Sequence, residues 1–312
     1  MAARLDPRRT AIRDDLIDNR LPIDGGERRR VEPVVRVVSV PVAALRAGPE
    51  LAARRTSEML FGERVDVFEI DPAASTAWVQ RQVDGYVGYV DAVALAEPAD
   101  VPATHRVRAL EAFVFAEPDI KSMVLAAVPL NARLTAVHDP FTSNAFQGVS
   151  FRGGVGYLHA RQVAPIDALE RDFVAIAERL VDTPYLWGGI TRRGLDCSGL
   201  VQCALHAHGQ PCPRDSDMQF SELGRPLFGP DVVEGLLERP DDADIEGFER
   251  GDLVFWSGHV GIMTDGIMMV HATAHYMSVV IEPFATAARR IAKSGGTFLG
   301  ARRLEATGAH AV

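Results

Sequence analysis

The sequence predicts an α+β protein: two small β-barrels followed by a domain that mixes helices with strands. Three observations carry that expectation. Strand texture fills residues 34 to 164. Two stretches inside it echo one another at nearly one offset. From Pro165 onward helical periodicity appears, and strand texture returns after Gly251.

At 312 residues the chain has room for two domains or three small ones. Apolar residues at 47% and charged residues at 24% exclude a disordered chain. With 33 basic against 42 acidic residues the net charge is −9, which argues against nucleic acid or an anionic membrane face as a partner. No run approaches the ~18 apolar residues of a membrane span. Met1 to Pro22 holds no apolar core of signal-peptide length. The expectation is a cytoplasmic protein. Its 3 cysteines, Cys197, Cys203 and Cys212, crowd into one short stretch, and an odd count there is not a disulfide framework.

Residues 1–33, rich in Arg, Asp and Pro, are expected to form an extended arm. The first barrel is expected over 34–97. Val34, Val35, Val37, Val38 and Val40 are β-branched, Arg64-Val65-Asp66-Val67-Phe68 alternates, and Asp84-Gly85 marks a turn before Tyr86-Val87-Gly88-Tyr89-Val90. The second barrel is expected over 104–164. Leu60 to Phe68 matches Leu130 to His138 at an offset of 70, and Val87-Gly88-Tyr89-Val90 matches Val155-Gly156-Tyr157-Leu158 at 68. Recurrence of turn glycines with tyrosines favours duplication over chance.

The third domain is expected over 165–305, with a tail over 306–312. Asp167 and Glu170 make a capping-box-like start. Leu169, Phe173, Ile176 and Leu180 then line one helical face up to Pro184. A second helix is expected to start at Asp196-Cys197, run through Leu205 and be capped by Gly209. Asp231 to Arg250, with its excess of acids, is expected to be a solvated insertion.

Cys197 is the first chemical candidate. At a helix N-terminus its thiolate would face unpaired backbone N–H groups and the positive end of the dipole, which is expected to lower its pKa. Cys203 and Cys212 fit the commoner role of small buried residues. His259 and His271 come next. A three-residue loop, Thr264-Asp265-Gly266, would set Met263 opposite Ile267 and, by the same count, His259 opposite His271. That arrangement supplies a thiol nucleophile with a base and a group to orient it. Cys and His are also zinc ligands. However, the chain has no CxxC or HxxxH pair, so thiol chemistry ranks above a metal site and no cofactor is expected. His206, His208 and His275 are read as surface or packing residues.

Several motifs in order carry a family resemblance: Pro184-Tyr185-Leu186-Trp187-Gly188-Gly189, Asp196-Cys197-Ser198-Gly199-Leu200-Val201, Gly251-Asp252-Leu253-Val254-Phe255 and Gly258-His259-Val260-Gly261-Ile262. Together they resemble the NlpC-type papain-like cell-wall cysteine peptidases over about residues 165–305. The resemblance implies Cys197 as nucleophile, His259 as general base and His271 as its orienter. Tandem bacterial SH3-like barrels ahead of such a domain resemble the γ-D-glutamyl-L-diamino-acid endopeptidases, whose substrates carry a free N-terminal L-Ala.

The Arg-Asp-Ser motif of that group matches Arg214-Asp215-Ser216, and its barrel tyrosine matches Tyr86. By resemblance Asp215, Ser216 and Tyr86 hold the substrate, and Ser198 and Trp187, inside matched motifs, join them. An ammonium taken out of water needs a carboxylate, which Asp215 offers; Glu63 is a candidate second one. The implied partner is a peptidoglycan-derived peptide, L-Ala-γ-D-Glu followed by meso-diaminopimelate or L-Lys, met in wall recycling. Two alternatives stay open: a papain-like acyltransferase, and a non-catalytic wall-peptide binding protein.

Overall fold

The computed structural model describes residues 5–138, 145–230 and 247–305. The tail 306–312 and residues 231–246 of the acidic stretch lie outside them. The chain divides into two units, Met1–Ala168 and Leu169–Val312. Among the described residues no helix is long and apolar enough to cross a membrane.

The first unit is built from strands. A seven-stranded antiparallel sheet takes the order Arg55–Leu60, Val42–Arg46, Val87–Asp91, Thr76–Arg81, Arg64–Asp71, Val34–Val38, Leu95–Ala96. Register shifts at Leu45/Arg46 and Val67/Glu69 are bulges of the kind that let a sheet curl. Leu45, Met59, Val65, Val79 and Val90 are fully buried inside it. A second set follows. Four strands run Val124–Pro129, Glu111–Phe115, Gly154–His159, Phe146–Phe151, and three run Arg133–Leu134, His105–Val107, Val163–Pro165. Val107, Val114, Val128, Leu134, Val149 and Leu158 form its core.

Several hydrogen bonds of the first set recur in the second. Gly62 N–H donates to the Val38 carbonyl at 2.9 Å, and Val38 N–H to the Glu63 carbonyl at 2.9 Å. Asn131 and Val107 repeat the first bond at 3.0 Å, and Val107 and Ala132 the second at 2.9 Å. Phe61 to Pro41 recurs as Leu130 to Leu110. The offset is therefore 69, between the two values read from the sequence. It aligns Gly62 (φ 79°) with Asn131 (φ 69°), both in the left-handed region. Gly62 is also a point of close approach between the sets: a Cβ there would meet the Arg133 carbonyl oxygen. Arg133 N–H donates to the Phe61 carbonyl at 2.8 Å, and the Phe61 and Phe151 rings stack at 5.0 Å.

The N-terminal segment is not an extended arm. Leu16–Asp18 pairs in parallel with Arg29–Val31, and Leu16 and Ile17 are buried. Leu16 packs with Ala11, Phe68 and Trp78. The Arg13 guanidinium sits 5.2 Å over the Trp78 ring, and Arg20 bridges Asp18 and Asp66 at 2.7 Å each. The charge of this segment pins it to the barrel, while its few apolar residues supply the contact.

The second unit packs helices on a six-stranded antiparallel sheet. The sheet order is Arg225–Phe228, Phe298–Arg303, Leu253–Trp256, His259–Met263, Met268–Thr273, Ser278–Pro283. Val254, Trp256, Met263 and Met269 bury one face against Phe284, Ala287 and Ala288 of the helix Phe284–Lys293. The first helix is Phe173–Arg179 and starts later than the sequence pattern suggests. Asp172 is its N-cap and accepts from Val174 N–H at 2.9 Å and Ala175 N–H at 3.2 Å. A capping acid that bonds the first-turn N–H groups sets the start, so Asp167 and Leu169 lie outside it. The second helix, Cys197–His208, has the expected ends: Asp196 caps it, and Gly209 (φ 83°) closes it in the left-handed conformation. The three cysteines are free thiols and all are buried.

Candidate active site

Cys197 is the first residue of its helix. The Asp196 carboxylate accepts from Gly199 N–H at 2.7 Å through one oxygen and from Gly188 N–H at 2.7 Å through the other. It thus caps the helix and ties down the loop that carries Trp187. Gly199 is required by crowding, since a Cβ would meet the Gly189 carbonyl oxygen. Arg214, 1% exposed, clamps the arrangement. Its guanidinium donates to both Asp196 oxygens, at 3.0 and 2.6 Å, and to Ser198 Oγ at 2.9 Å. Burying a guanidinium is tolerable only with such pairing.

The Cys197 Sγ lies 4.0 Å from the Gly258 carbonyl oxygen, so the thiol abuts the residue just before His259. His259 opens the strand His259–Met263, and its Nε2 is 2.8 Å from Nδ1 of His271 on Met268–Thr273. The two imidazoles meet, but not directly across the ladder. Met263 pairs with Met269 and Ile262 with Val270, two residues away from the expected register. The turn is longer than predicted: Thr264 N–H closes it on the Met268 carbonyl, and Asp265 accepts from Ile267 and Met268 N–H. A slip of two keeps every side chain on its face, so the histidines touch diagonally.

Behind them stands a pair absent from the sequence reading. Glu282 Oε1 is 2.7 Å from His271 Nε2, and Arg290 grips both Glu282 oxygens at 2.7 and 2.6 Å. The Arg290 guanidinium lies 5.2 Å over the Tyr276 ring.

Residues 182–290 match the NlpC/P60 family. The second unit carries an NlpC/P60 domain. This is a cysteine-peptidase family, so the chain is a hydrolase. Residues 45–95 match the bacterial dipeptidyl-peptidase Sh3 domain. The chain is 28% identical over 254 residues to "Dipeptidyl-peptidase 6" of Lysinibacillus sphaericus, covering 76% of this chain and 87% of that protein. It is 26% identical to "Gamma-D-glutamyl-L-lysine dipeptidyl-peptidase" of Bacillus subtilis (strain 168), covering 72% and 74%. A solved NlpC/P60 family protein from Bacillus cereus superposes with a TM-score of 0.69 at 20% identity, over 87% of this chain and 99% of that one. This last likeness concerns the α+β fold.

Within the NlpC/P60 domain the ionisation differs from the expectation for a helix-start thiol. Burial first, and the Asp196 carboxylate second, push the Cys197 thiol up to about 12. The Val260 and Ser198 N–H groups and Arg214 favour the thiolate but do not outweigh burial. Burial and then His271 push His259 down to about 3, and burial lowers His271. Burial alone would raise Glu282, but Arg290 and His271 outweigh it and bring the carboxyl down to about 2. Thiol and imidazole are therefore both neutral at rest, with the carboxylate ionised behind them.

The remaining candidates fall into two groups. In the NlpC/P60 domain Asp215 is the N-cap of Ser216–Glu222 and makes no side-chain cap bond, and Ser198 is tied to the same motif through Arg214. Trp187 is 56% exposed. In the first unit Tyr86 and Glu63 are both buried and joined through two other residues. Arg81 donates to Glu63 at 3.1 to 3.3 Å and to Asp84 Oδ2 at 2.7 Å, while Asp84 Oδ1 accepts from Tyr86 N–H at 3.0 Å. Glu63 is thus already paired with Arg81, and burial raises its pKa. Sequence reasoning missed Asp196, Arg214, Glu282 and Arg290 as supports. Asp196 and Arg214 left signals there, the first as a cap residue before Cys197 and the second inside the Arg-Asp-Ser motif.

Proposed function

We propose that this chain is a cysteine endopeptidase that hydrolyses the γ-D-glutamyl–L-diamino acid bond of peptidoglycan peptides with a free N-terminal L-Ala. The observation that carries the reading is the hydrogen-bonded His259–His271 pair beside a thiol at a capped helix start. The name of the Bacillus subtilis relative supports the bond class.

The chemistry is acyl transfer to water. Cys197 Sγ attacks the γ-carbonyl carbon of D-Glu as its proton passes to His259 Nδ1, the ring nitrogen that His271 does not engage. Because neither group ionises alone in this buried setting, transfer and attack proceed together. The developing oxyanion meets the Cys197 N–H, one of the first-turn donors that a helix leaves without an intrahelical acceptor. The tetrahedral adduct collapses to a thioester, and His259 hands its proton to the departing α-amine of the diamino acid. Water then attacks the thioester, giving its proton to His259; the D-Glu carboxyl is released and the thiol is restored.

Asp215, Ser216, Ser198 and Trp187 in the NlpC/P60 domain, and Tyr86 and Glu63 in a first barrel over 34–97, are the proposed substrate contacts. The barrel over 104–164 is proposed as a second SH3-like module. A free L-Ala amine arises once an amide cleavage has released the stem peptide from glycan, which supports wall recycling as the proposed setting.

The test is incubation with L-Ala-γ-D-Glu-meso-diaminopimelate and mass analysis. Expected products are L-Ala-D-Glu and free diaminopimelate, absent with Cys197→Ala, and greatly reduced when the L-Ala amine is acetylated. An intact peptide after prolonged incubation would overturn the bond assignment. Capture of the acyl group by an added amine in preference to water would favour a transferase.

A further inference from the structure

We propose that Glu282 and Arg290 are positioning residues that set the tautomers of both histidines, so that His259 always presents a bare Nδ1 to the thiol. The inference rests on the thiol-peptidase reading above and adds a direction to its proton path.

One chain of contacts links Arg290 to the His259 ring. Glu282 is an acceptor only, because Arg290 holds it ionised through two bonds at 2.7 and 2.6 Å. The His271 nitrogen 2.7 Å away must then be the donor, so His271 carries its proton on Nε2. A neutral His271 leaves Nδ1 as an acceptor. The contact at 2.8 Å therefore requires His259 to donate from Nε2. A neutral His259 with its proton on Nε2 has its lone pair on Nδ1. One carboxylate thus fixes two rings in series, and when His259 becomes imidazolium during attack the same carboxylate stabilises the charge through His271.

Among the described residues, the charged and titratable groups around the histidines come from four elements. Cys197 lies on its helix, Glu282 on Ser278–Pro283 and Arg290 on Phe284–Lys293, while Tyr276 sits in the turn between Met268–Thr273 and Ser278–Pro283, under the guanidinium. Arg290 alone would oppose protonation of the rings, and Glu282 alone would favour it. The pair therefore has a signature: removing one member shifts the histidines in the sense opposite to removing the other.

Two measurements test this. In the unaltered protein, nitrogen NMR of the histidine rings should place the proton on Nε2 of both His259 and His271; an Nδ1 proton on either ring would overturn the proposal. In the variants, Glu282→Gln should lower kcat about 100-fold with KM within about twofold, and move the acid limb of kcat to lower pH. Arg290→Met should move that limb to higher pH, because the cation that opposes ring protonation is gone while the Glu282 carboxylate stays, and Arg290→Lys should reverse most of the shift. Coincident limbs in Glu282→Gln, Arg290→Met and the unaltered enzyme would overturn it.

The rate of Cys197 alkylation by iodoacetamide, followed over the same pH range, needs no peptide. If the peptide is not cleaved but the alkylation profiles shift in opposite senses, the bond assignment falls and the positioning role stands. If the peptide is cleaved and neither profile moves, the positioning role falls and the activity stands.

Discussion

The Arg214 guanidinium lies 2.6 Å from the Asp196 carboxylate, and both are buried beneath the first turn of the Cys197 helix. One arginine therefore couples the helix cap, the Trp187 loop and the Asp215–Ser216 segment. Removing one partner of such a pair leaves the other charge buried and uncompensated. Arg214→Met is expected to cost about 3–5 kcal/mol of stability. Urea denaturation measures it, and a loss near zero would mean that Asp196 finds another partner.

Acid should weaken the protein well before its carboxylates are all protonated. His259 is held down to about 3 in the fold against 6.5 when unfolded, and His271 is lowered as well. Within that window the unfolded chain binds more protons, so stability present above pH 6.5 is lost as pH falls toward 3. Glu282, lowered from 4.5 to about 2, has the same sign in a lower window: its contribution is present above 4.5 and lost toward 2. The urea midpoint should drop steadily from pH ~7 to pH ~4, and His259→Gln should flatten that slope. A flat midpoint in the unaltered protein would contradict the buried neutral imidazoles.

Gly199→Ala is the smallest change expected to inactivate the site. Its Cβ would press on the Gly189 carbonyl oxygen and the Asp196 carboxylate together. Overpacking against backbone costs about 1–3 kcal/mol, and relief of the clash displaces the helix that carries the thiol. Turnover and thermal unfolding should fall together, whereas Ala at exposed Gly154, where a Cβ meets only the Phe151 carbonyl oxygen at 3.8 Å, should leave turnover unchanged.

Leu16→Ala tests the docked N-terminal segment. Leu16 is fully buried with Phe68 and Trp78. Its truncation should cost about 2–5 kcal/mol, read as a lower urea midpoint and as faster proteolysis near residues 5–33. An unchanged midpoint would mean that the segment contributes little to the barrel.

Much of the site was legible because it is local. The cap Asp196, the helix it starts and the C-cap Gly209 are near neighbours in sequence, and capping is a short-range rule. The face shared by His259 and His271 was legible too, because alternation along strands survives an even error in register. The register itself was not. Asp265 folds the turn back on Ile267 and Met268, and nothing in the alternation reveals that the loop is longer. Glu282 and Arg290 come from the next strand and helix, and their meeting with His271 depends on tertiary packing. The thiol's ionisation was misjudged for a related reason: the helix dipole is a local feature, whereas the burial that outweighs it is supplied by the whole fold.

The hydrogen-bond repeat at an offset of 69 makes the two strand sets look interchangeable, and Gly62 breaks that symmetry. The first copy offers a bare backbone where the Arg133 carbonyl arrives, while the second copy carries the side chain of Asn131 at the matching place. The pair of strand sets is therefore polar: one matching place accepts a neighbouring backbone and the other is filled by a side chain.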